Sequence, residues 1–209
     1  MKRIVIVGAS GFGKEAAWIV ERINRVCPTF ELVGFCDDAA DKREGICGAY
    51  PLLGPVEAAL ERFGALGFFC AVGNNQARQR LSVRAKAAGF DPVTLADPSA
   101  VVAPDVSLGK GCFIGIGSVV SVGSKIGDGV LINHQACVGH DVAIGDFAQV
   151  CPGVCVSGGC SIGEGALLGT NAGVLPLKKI GAWSTVGAGT VALRDVSDGT
   201  TIMRLGSGQ

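Results

Sequence analysis

Leu108-Gly109-Lys110-Gly111-Cys112-Phe113-Ile114-Gly115-Ile116-Gly117-Ser118-Val119-Val120 places an aliphatic residue at every sixth position. The count extends in both directions. From Val102 it runs through Leu108, Ile114, Val120, Ile126, Ile132, Val138, Ile144, Val150, Val156, Ile162, Leu168, Val174 and Ile180 to Val186, fifteen positions without an insertion. The residue four places after each is small or β-branched, with Lys178 the exception. A second period lies on top: Leu108-Gly109, Ile126-Gly127, Ile144-Gly145, Ile162-Gly163 and Ile180-Gly181 recur every eighteen residues. A six-residue repeat with one large and one small inward residue is the signature of a parallel β-helix. Three hexads close one triangular coil, so fifteen hexads predict five coils. Glycine suits the corners, because it adopts turn conformations that a Cβ obstructs.

The composition agrees with this reading. Of 209 residues 33 are glycine, about twice the usual share. They divide unevenly, with 11 in residues 1–96 and 22 in 97–209. Mean hydropathy is +0.44 and the formal charge is zero, which excludes a disordered chain. Glycine has no three-residue period, so collagen is excluded. No run of about 20 apolar residues exists to span a bilayer. Eighteen acidic against eighteen basic residues give no electrostatic case for nucleic acid or an anionic membrane. The N-terminus lacks a signal peptide's apolar core and cleavage site. Nine cysteines without paired CxxC spacing read as buried, reduced thiols in a cytoplasmic protein rather than a zinc site.

Residues 1–96 follow another pattern. Lys2 to Val7, Phe30 to Cys36 and Gly67 to Val72 read as strands. Lys14 to Val26, Pro55 to Phe63 and Gln76 to Ala88 read as helices. The alternation predicts a small parallel α/β sheet of Rossmann-like type in residues 1–96, joined to a β-helix in 97–209.

Two regions carry candidate chemistry. In the first half, three turns follow strands: Gly8-Ala9-Ser10-Gly11-Phe12-Gly13, Cys36-Asp37-Asp38 and Gly73-Asn74-Asn75. Ligands bind at such carboxyl ends in open α/β sheets, with phosphate at a helix N-terminus and an acid on a sugar hydroxyl. Ordinary tight turns are the alternative. A domain of about 95 residues offers half of a dinucleotide fold, which favours a mononucleotide or nucleotide sugar. In the second half, Asn133 to Asp141 contains both histidines of the chain, His134 and His140. Each stands at a corner position of its hexad. His140 precedes Asp141, an acid that can orient an imidazole. Eighteen residues beyond His140 is Gly158, one coil above. A base beside an open amide donor suits acyl transfer. A solvated corner histidine is the alternative for His140, and a solvated or interface histidine is the favoured reading for His134.

These residues resemble a family. The motifs Gly8-Ala9-Ser10-Gly11-Phe12-Gly13-Lys14, Gly34-Phe35-Cys36-Asp37-Asp38, Ala71-Val72-Gly73-Asn74-Asn75 and Asn133 to Asp141 with Ile144-Gly145-Asp146-Phe147 are similar to those of sialic-acid O-acetyltransferase-like sugar O/N-acyltransferases. The likeness spans residues 1 to about 195 and is greatest to bacillosamine-type N-acetyltransferases of UDP- or dTDP-4-amino sugars. The resemblance implies a left-handed β-helix, a homotrimer, and acetyl-CoA as cosubstrate without a metal. It implies His140 as general base, supported by Asp141, with Asn133 in the site and the Gly158 amide facing the oxyanion. Coenzyme A contacts are implied at Gly158, Thr170 and Ala188. Nucleotide-sugar contacts are implied at Ser10, Gly11, Phe12, Asp37, Asp38 and Gly73.

The sequence departs from the family at three places. Gln149 stands where many members have histidine. The tail Thr200 to Gly206 lacks the usual Gly-x-Pro-Ala-Lys segment, leaving Arg204 as its comparable charge. Lys178 occupies an inward small position, which predicts a bulge or an opened coil. The expected reaction is N-acetylation of a nucleotide-linked 4-amino-4,6-dideoxy sugar, with O-acetylation of a sialic-type sugar as the alternative. Zinc-dependent hydration, which needs three histidine ligands, and a catalytically silent binding protein are the readings from other classes.

Overall fold

A computed structural model describes residues 1–38 and 50–203. The chain divides into two compact units, Met1–Pro98 and Ser99–Gln209.

In the first unit, β1 (Lys2–Val7), β2 (Phe30–Cys36), β3 (Gly67–Cys70) and β4 (Asp91–Pro92) form a parallel sheet in the order β2-β1-β3-β4. Helices α1 (Gly11–Val26), α2 (Val56–Phe63) and α3 (Asn75–Ala87) make the connections. Ile4 to Val7 and Gly67 to Cys70 are buried without alternation, as expected of a parallel sheet covered on both faces. α1 begins three residues earlier than the apolar spacing predicts, because Gly11-Phe12-Gly13 is already its first turn. Gly13 is required there: a Cβ would collide with the Gly8 carbonyl oxygen and come to 3.3 Å of the Phe35 ring. Pro55 caps α2 rather than entering it. Asn74 caps α3, its side chain accepting the Ala77 N–H at 2.9 Å. At the end of the unit, the buried Asp97 carboxylate receives two bonds from Arg22, at 2.5 Å from Nε and 3.1 Å from Nη2.

The second unit is a left-handed parallel β-helix. Each coil contributes a two-residue strand to each of three faces. The second residue of each strand from Val101–Val102 to Thr185–Val186 is the predicted aliphatic. Residues eighteen apart pair directly, as Lys125 with Ala143, Leu131 with Gln149 and Cys137 with Cys155. The aliphatics and their small companions form one continuous core along the axis.

The helix also continues past the predicted fifth coil. Val191–Ala192 pairs with Gly173–Val174, and Thr201–Ile202 pairs with Thr185–Val186. In that last coil Ile180 meets Val196, a step of sixteen residues. Lys178 causes no bulge. It is half-buried, and its carbonyl accepts the Ser161 N–H at 2.9 Å. Arg204 and the rest of the tail lie outside the described residues, as does Cys47.

The corners share one backbone conformation. Every sixth residue from Gly111 to Gly189 has φ between 55° and 71°, the left-handed region that favours glycine. Six of these residues are not glycine: Gln135, Asp141, Phe147, Asn171, Leu177 and Trp183.

The eight cysteines among the described residues are free thiols. Cys36, Cys70, Cys112 and Cys160 are buried as expected, but Cys27, Cys137 and Cys155 are exposed. The first residue of a solenoid strand points outward, so Cys137 and Cys155 stack on an outer face rather than in the core. Among the described residues no helix is long and apolar enough to cross a membrane.

The axial core predicts a measurable cost for shortening one rung. Replacing Ile132, which is fully buried, by Ala should destabilise the protein by about 2–5 kcal/mol in equilibrium denaturation.

Candidate active site

His140 and Asp141 form the corner between the strands Cys137–Val138 and Ala143–Ile144. Side chains of consecutive residues ordinarily diverge. Here the left-handed conformation of Asp141, φ 56°, lets its carboxylate turn back on its neighbour. The Asp141 Oδ2 lies 2.8 Å from His140 Nδ1. An ionised carboxylate can only accept, so this bond places the imidazole hydrogen on Nδ1 and leaves a lone pair on Nε2. Both side chains are open to solvent.

One coil above, Gly158 covers the ring. A Cβ at Gly158 would come to 2.6 Å of His140 Cε1 and 2.8 Å of Cδ2, and closer still to Nε2. Any other residue at 158 therefore displaces the imidazole. The Gly158 N–H makes no hydrogen bond among the described residues. A Cβ on Gly139 would stand 2.8 Å from that same nitrogen, so two glycines together keep the space around this amide clear. His140 Nε2 thus lies close to Gly158, whose N–H is unused, at a solvent-accessible corner. That arrangement can take a proton and stabilise an oxyanion.

The other implied positions lie on the preceding corner of the prism. Asn133 begins the turn after Leu131–Ile132 and is buried, with no hydrogen bond to its carboxamide among the described residues. Thr170 and Ala188, eighteen residues apart, are exposed on that same corner one and two coils beyond Pro152. Within one chain they do not meet His140. His134 also lies there, half-buried and partnered within the chain. Its Nδ1 accepts the Ile116 N–H at 2.9 Å, and its ring stands edge-on to Phe113 with centroids 5.8 Å apart. The two histidines therefore occupy different corners, and no group of three metal-ligating side chains is assembled among the described residues. Gln149 is half-buried and points along the same face as Leu131. Its Nε2 lies 3.6 Å from Cys151 Sγ, and its buried Oε1 has no partner among the described residues.

In the first unit the three glycine and acidic turns converge at the carboxyl ends of β1, β2 and β3. The N-terminus of α1 lacks a side-chain cap at Ser10, and a helix N-terminus of this kind, beginning here at Gly11, favours an anion. Asp37 Oδ2 accepts the Ala9 N–H at 2.8 Å and so holds this loop against β2. A cleft of about 110 Å³ is lined by Gly8, Cys36, Asp37, Asp38, Val72 and Arg84. Gly73 adjoins it in sequence. Arg84 was not apparent from sequence. Its guanidinium takes both Glu57 oxygens, at 2.8 and 2.6 Å, and Asp38 Oδ2 at 2.7 Å. These bonds hold the Glu57 carboxyl below its ordinary pKa. Burial, followed by Glu57 and Asp38, pushes the Cys36 thiol up to about 12. Cys36 is therefore neutral at physiological pH and is not a nucleophile.

The left-handed Asp141 yields a stability test. Asp141→Gly should leave the fold intact and raise stability by about 0.5–1 kcal/mol, because a Cβ is disfavoured at this φ. Urea denaturation measures it; a loss of stability would show that the carboxylate bond outweighs the backbone strain.

Comparison with known proteins places the chain. Residues 3–85 match the family model described as the PglD N-terminal domain. Among solved structures, a histidine-to-asparagine variant of perosamine N-acetyltransferase from Caulobacter crescentus, in complex with CoA and GDP-perosamine, is 33% identical. The match covers 100% of this chain and 98% of that one, with a TM-score of 0.87. The acetyltransferase domain of PglB from Neisseria gonorrhoeae, in complex with acetyl coenzyme A, is 31% identical over 97% of this chain and 96% of that one, with a TM-score of 0.87. WeeI from Acinetobacter baumannii is 25% identical over 98% and 97%, with a TM-score of 0.85. No curated protein matches the sequence. The β-helix, the N-terminal sheet and full-length likeness at this identity agree, and the chain belongs to the hexapeptide-repeat family of acetyl-CoA-dependent sugar N-acetyltransferases.

Proposed function

We propose that the protein transfers acetyl from acetyl-CoA to the amino group of a nucleotide-linked 4-amino-4,6-dideoxy sugar by direct attack. The observation that carries this reading is the His140–Asp141 pair beneath the unused Gly158 amide. The amine nitrogen attacks the thioester carbonyl carbon. His140 Nε2 accepts the amine proton, and Asp141 stabilises the imidazolium that results. The Gly158 N–H receives the developing oxyanion. Collapse breaks the carbon–sulfur bond, and the proton passes to the departing thiolate. No covalent acyl-enzyme intervenes.

The N-terminal cleft supports a nucleotide diphosphate sugar. The first turn of α1, with Ser10, Gly11 and Phe12, suits the diphosphate. Asp37 and Asp38 suit hydroxyl or base N–H donors, and Gly73 leaves room beside them. UDP and dTDP sugars are the proposed substrates. The GDP-perosamine bound to the perosamine relative makes a GDP sugar the third to compare.

A homotrimer is proposed on two grounds. The outward residues Val101, Val119, Cys137, Cys155 and Val191 form an exposed apolar column leading to the His140 corner. A water-facing stripe of this kind suits burial against another copy. In addition, Asn133, Thr170 and Ala188 lie a corner away from His140, so a coenzyme touching both sets is best served by two chains. Sedimentation equilibrium tests the assembly, with a monomer as the contrary result.

Turnover of acetyl-CoA with UDP-, dTDP- and GDP-linked 4-amino sugars, and with sialic acids, separates N- from O-acetylation. His140→Ala should lower kcat by about 10²–10⁴-fold with folding unchanged, and near-wild-type turnover would refute its role. Gly158→Ala should be comparably damaging, because the methyl group occupies the imidazole's place.

A further inference from the structure

The corner that carries His140 is held at both ends by a buried side chain from the coil below. At most corners the N–H of the residue after the left-handed position bonds back to the turn's first carbonyl. Ala136 bonds Asn133 at 3.2 Å, Ala148 bonds Gly145 at 3.3 Å, and Ala172 bonds Gly169 at 2.9 Å. The equivalent bond at the His140 corner, from Val142 N–H to the Gly139 carbonyl, is not made. Ser124, one coil below, takes both ends instead. Its Oγ donates to the Gly139 carbonyl at 2.9 Å and accepts the Val142 N–H at 3.2 Å. Ser124 is fully buried, so this hydroxyl cannot exchange its partners for water.

Donation alone is a general device of this β-helix. Ser118 donates to the Asn133 carbonyl at 2.7 Å, and the thiols of Cys112 and Cys160 each reach the carbonyl fifteen residues on at 3.1 Å. Those bonds hold one end of a turn. Ser124 holds both ends of the turn whose two central residues are His140 and Asp141. It therefore fixes the direction in which the imidazole and its carboxylate partner leave the backbone. Without the hydroxyl, Val142 N–H and Gly139 C=O lose the partner that ties them together, and the turn between them is less firmly held.

We propose that Ser124 is a positioning residue for transfer, acting through the His140–Asp141 corner. The proposal rests on the assignment of His140 as the base. A small misplacement of a catalytic group costs up to about 10²-fold, and it affects the chemical step rather than substrate capture.

The test compares Ser124→Ala, Ser124→Val, Ser124→Thr and Ser124→Cys in the full-length protein. His140→Ala and Ser184→Ala serve as references. Ser184 is buried and donates to the Gly181 carbonyl, so its loss reports the general cost of a missing buried hydroxyl. Cysteine occupies the equivalent inward position at 112 and 160, so Ser124→Cys is compatible with the fold. Steady-state kinetics should show kcat reduced about tenfold or more in Ser124→Ala and Ser124→Val. The KM for acetyl-CoA and for the sugar should stay within about twofold, as a geometric effect on chemistry requires. Thr, which keeps the hydroxyl, should restore kcat where the isosteric Val does not, and Cys should fall between. Wild-type kcat in folded Ser124→Val or Ser124→Cys would overturn the proposal, as would an equal loss in Ser184→Ala. If His140→Ala itself retains activity, the assignment of the base fails and this role for Ser124 fails with it.

Discussion

The vertical stacking of one aliphatic rung on the next is the constraint from which the rest follows. Each coil has only two-residue strands, too short to stand alone. They persist because residues eighteen apart pair through the backbone and bury their side chains on a common axis. The burial is continuous, so the register is not free to slip by one. A slip would carry Ile132 and Val138 to the outside and leave Leu131 and Cys137 inside. The geometry at Gly158 is a product of that register. The imidazole lies beneath a particular backbone amide because the aliphatics before and after it lock both coils in phase.

The corners have a looser rule, and the proposed chemistry sits at one of them. At eight of the fourteen left-handed corners from Gly111 to Gly189, glycine relieves the conformation; at six it does not, and two of those six, Gln135 and Asp141, lie in the histidine-bearing segment. A non-glycine residue held in this region is a mark of local function where surrounding structure enforces it. Asp141 gives that mark a mechanism, because its backbone conformation brings its carboxylate onto the residue before it. Phe147 and Trp183 adopt the same conformation for packing: each ring lies where a Cβ on Gly129 or Gly165 would otherwise project.

Much of this was legible in the sequence, and its limits have physical causes. The hexads were readable because inward positions admit only aliphatic and small side chains, so composition repeats wherever geometry does. The count alone puts residue 158 one coil above residue 140, which is where Gly158 lies. The resemblance extended that to Asn133, Thr170 and Ala188, but it did not show that these share another corner. The role of His134 was hidden because a histidine capping an amide and one presenting a lone pair occupy the same hexad position. Ser124 reads as one more small inward residue; its two bonds depend on a turn left open in the next coil. Arg84 lies in a helix of ordinary surface composition, and only the sheet order brings it to Asp38 and Glu57. The start of α1 was missed for a related reason: glycine at the first turn suppresses the propensity signal, although close packing at Gly13 demands it.

The short final coil shows where a solenoid keeps its slack. Between Ala192 and Val196 the usual interval of six shrinks to four, yet Ile180 still meets Val196 and Val186 still meets Ile202. The shortened segment belongs to the same edge of the prism as His140 and Gly158, several storeys higher. What this architecture conserves is therefore the phase of its rungs, while contour length at an edge is expendable. Such an edge can lengthen, shorten or gain polar groups without unzipping the core. One landing of the staircase can thus be rewritten while the steps on either side keep the core in phase.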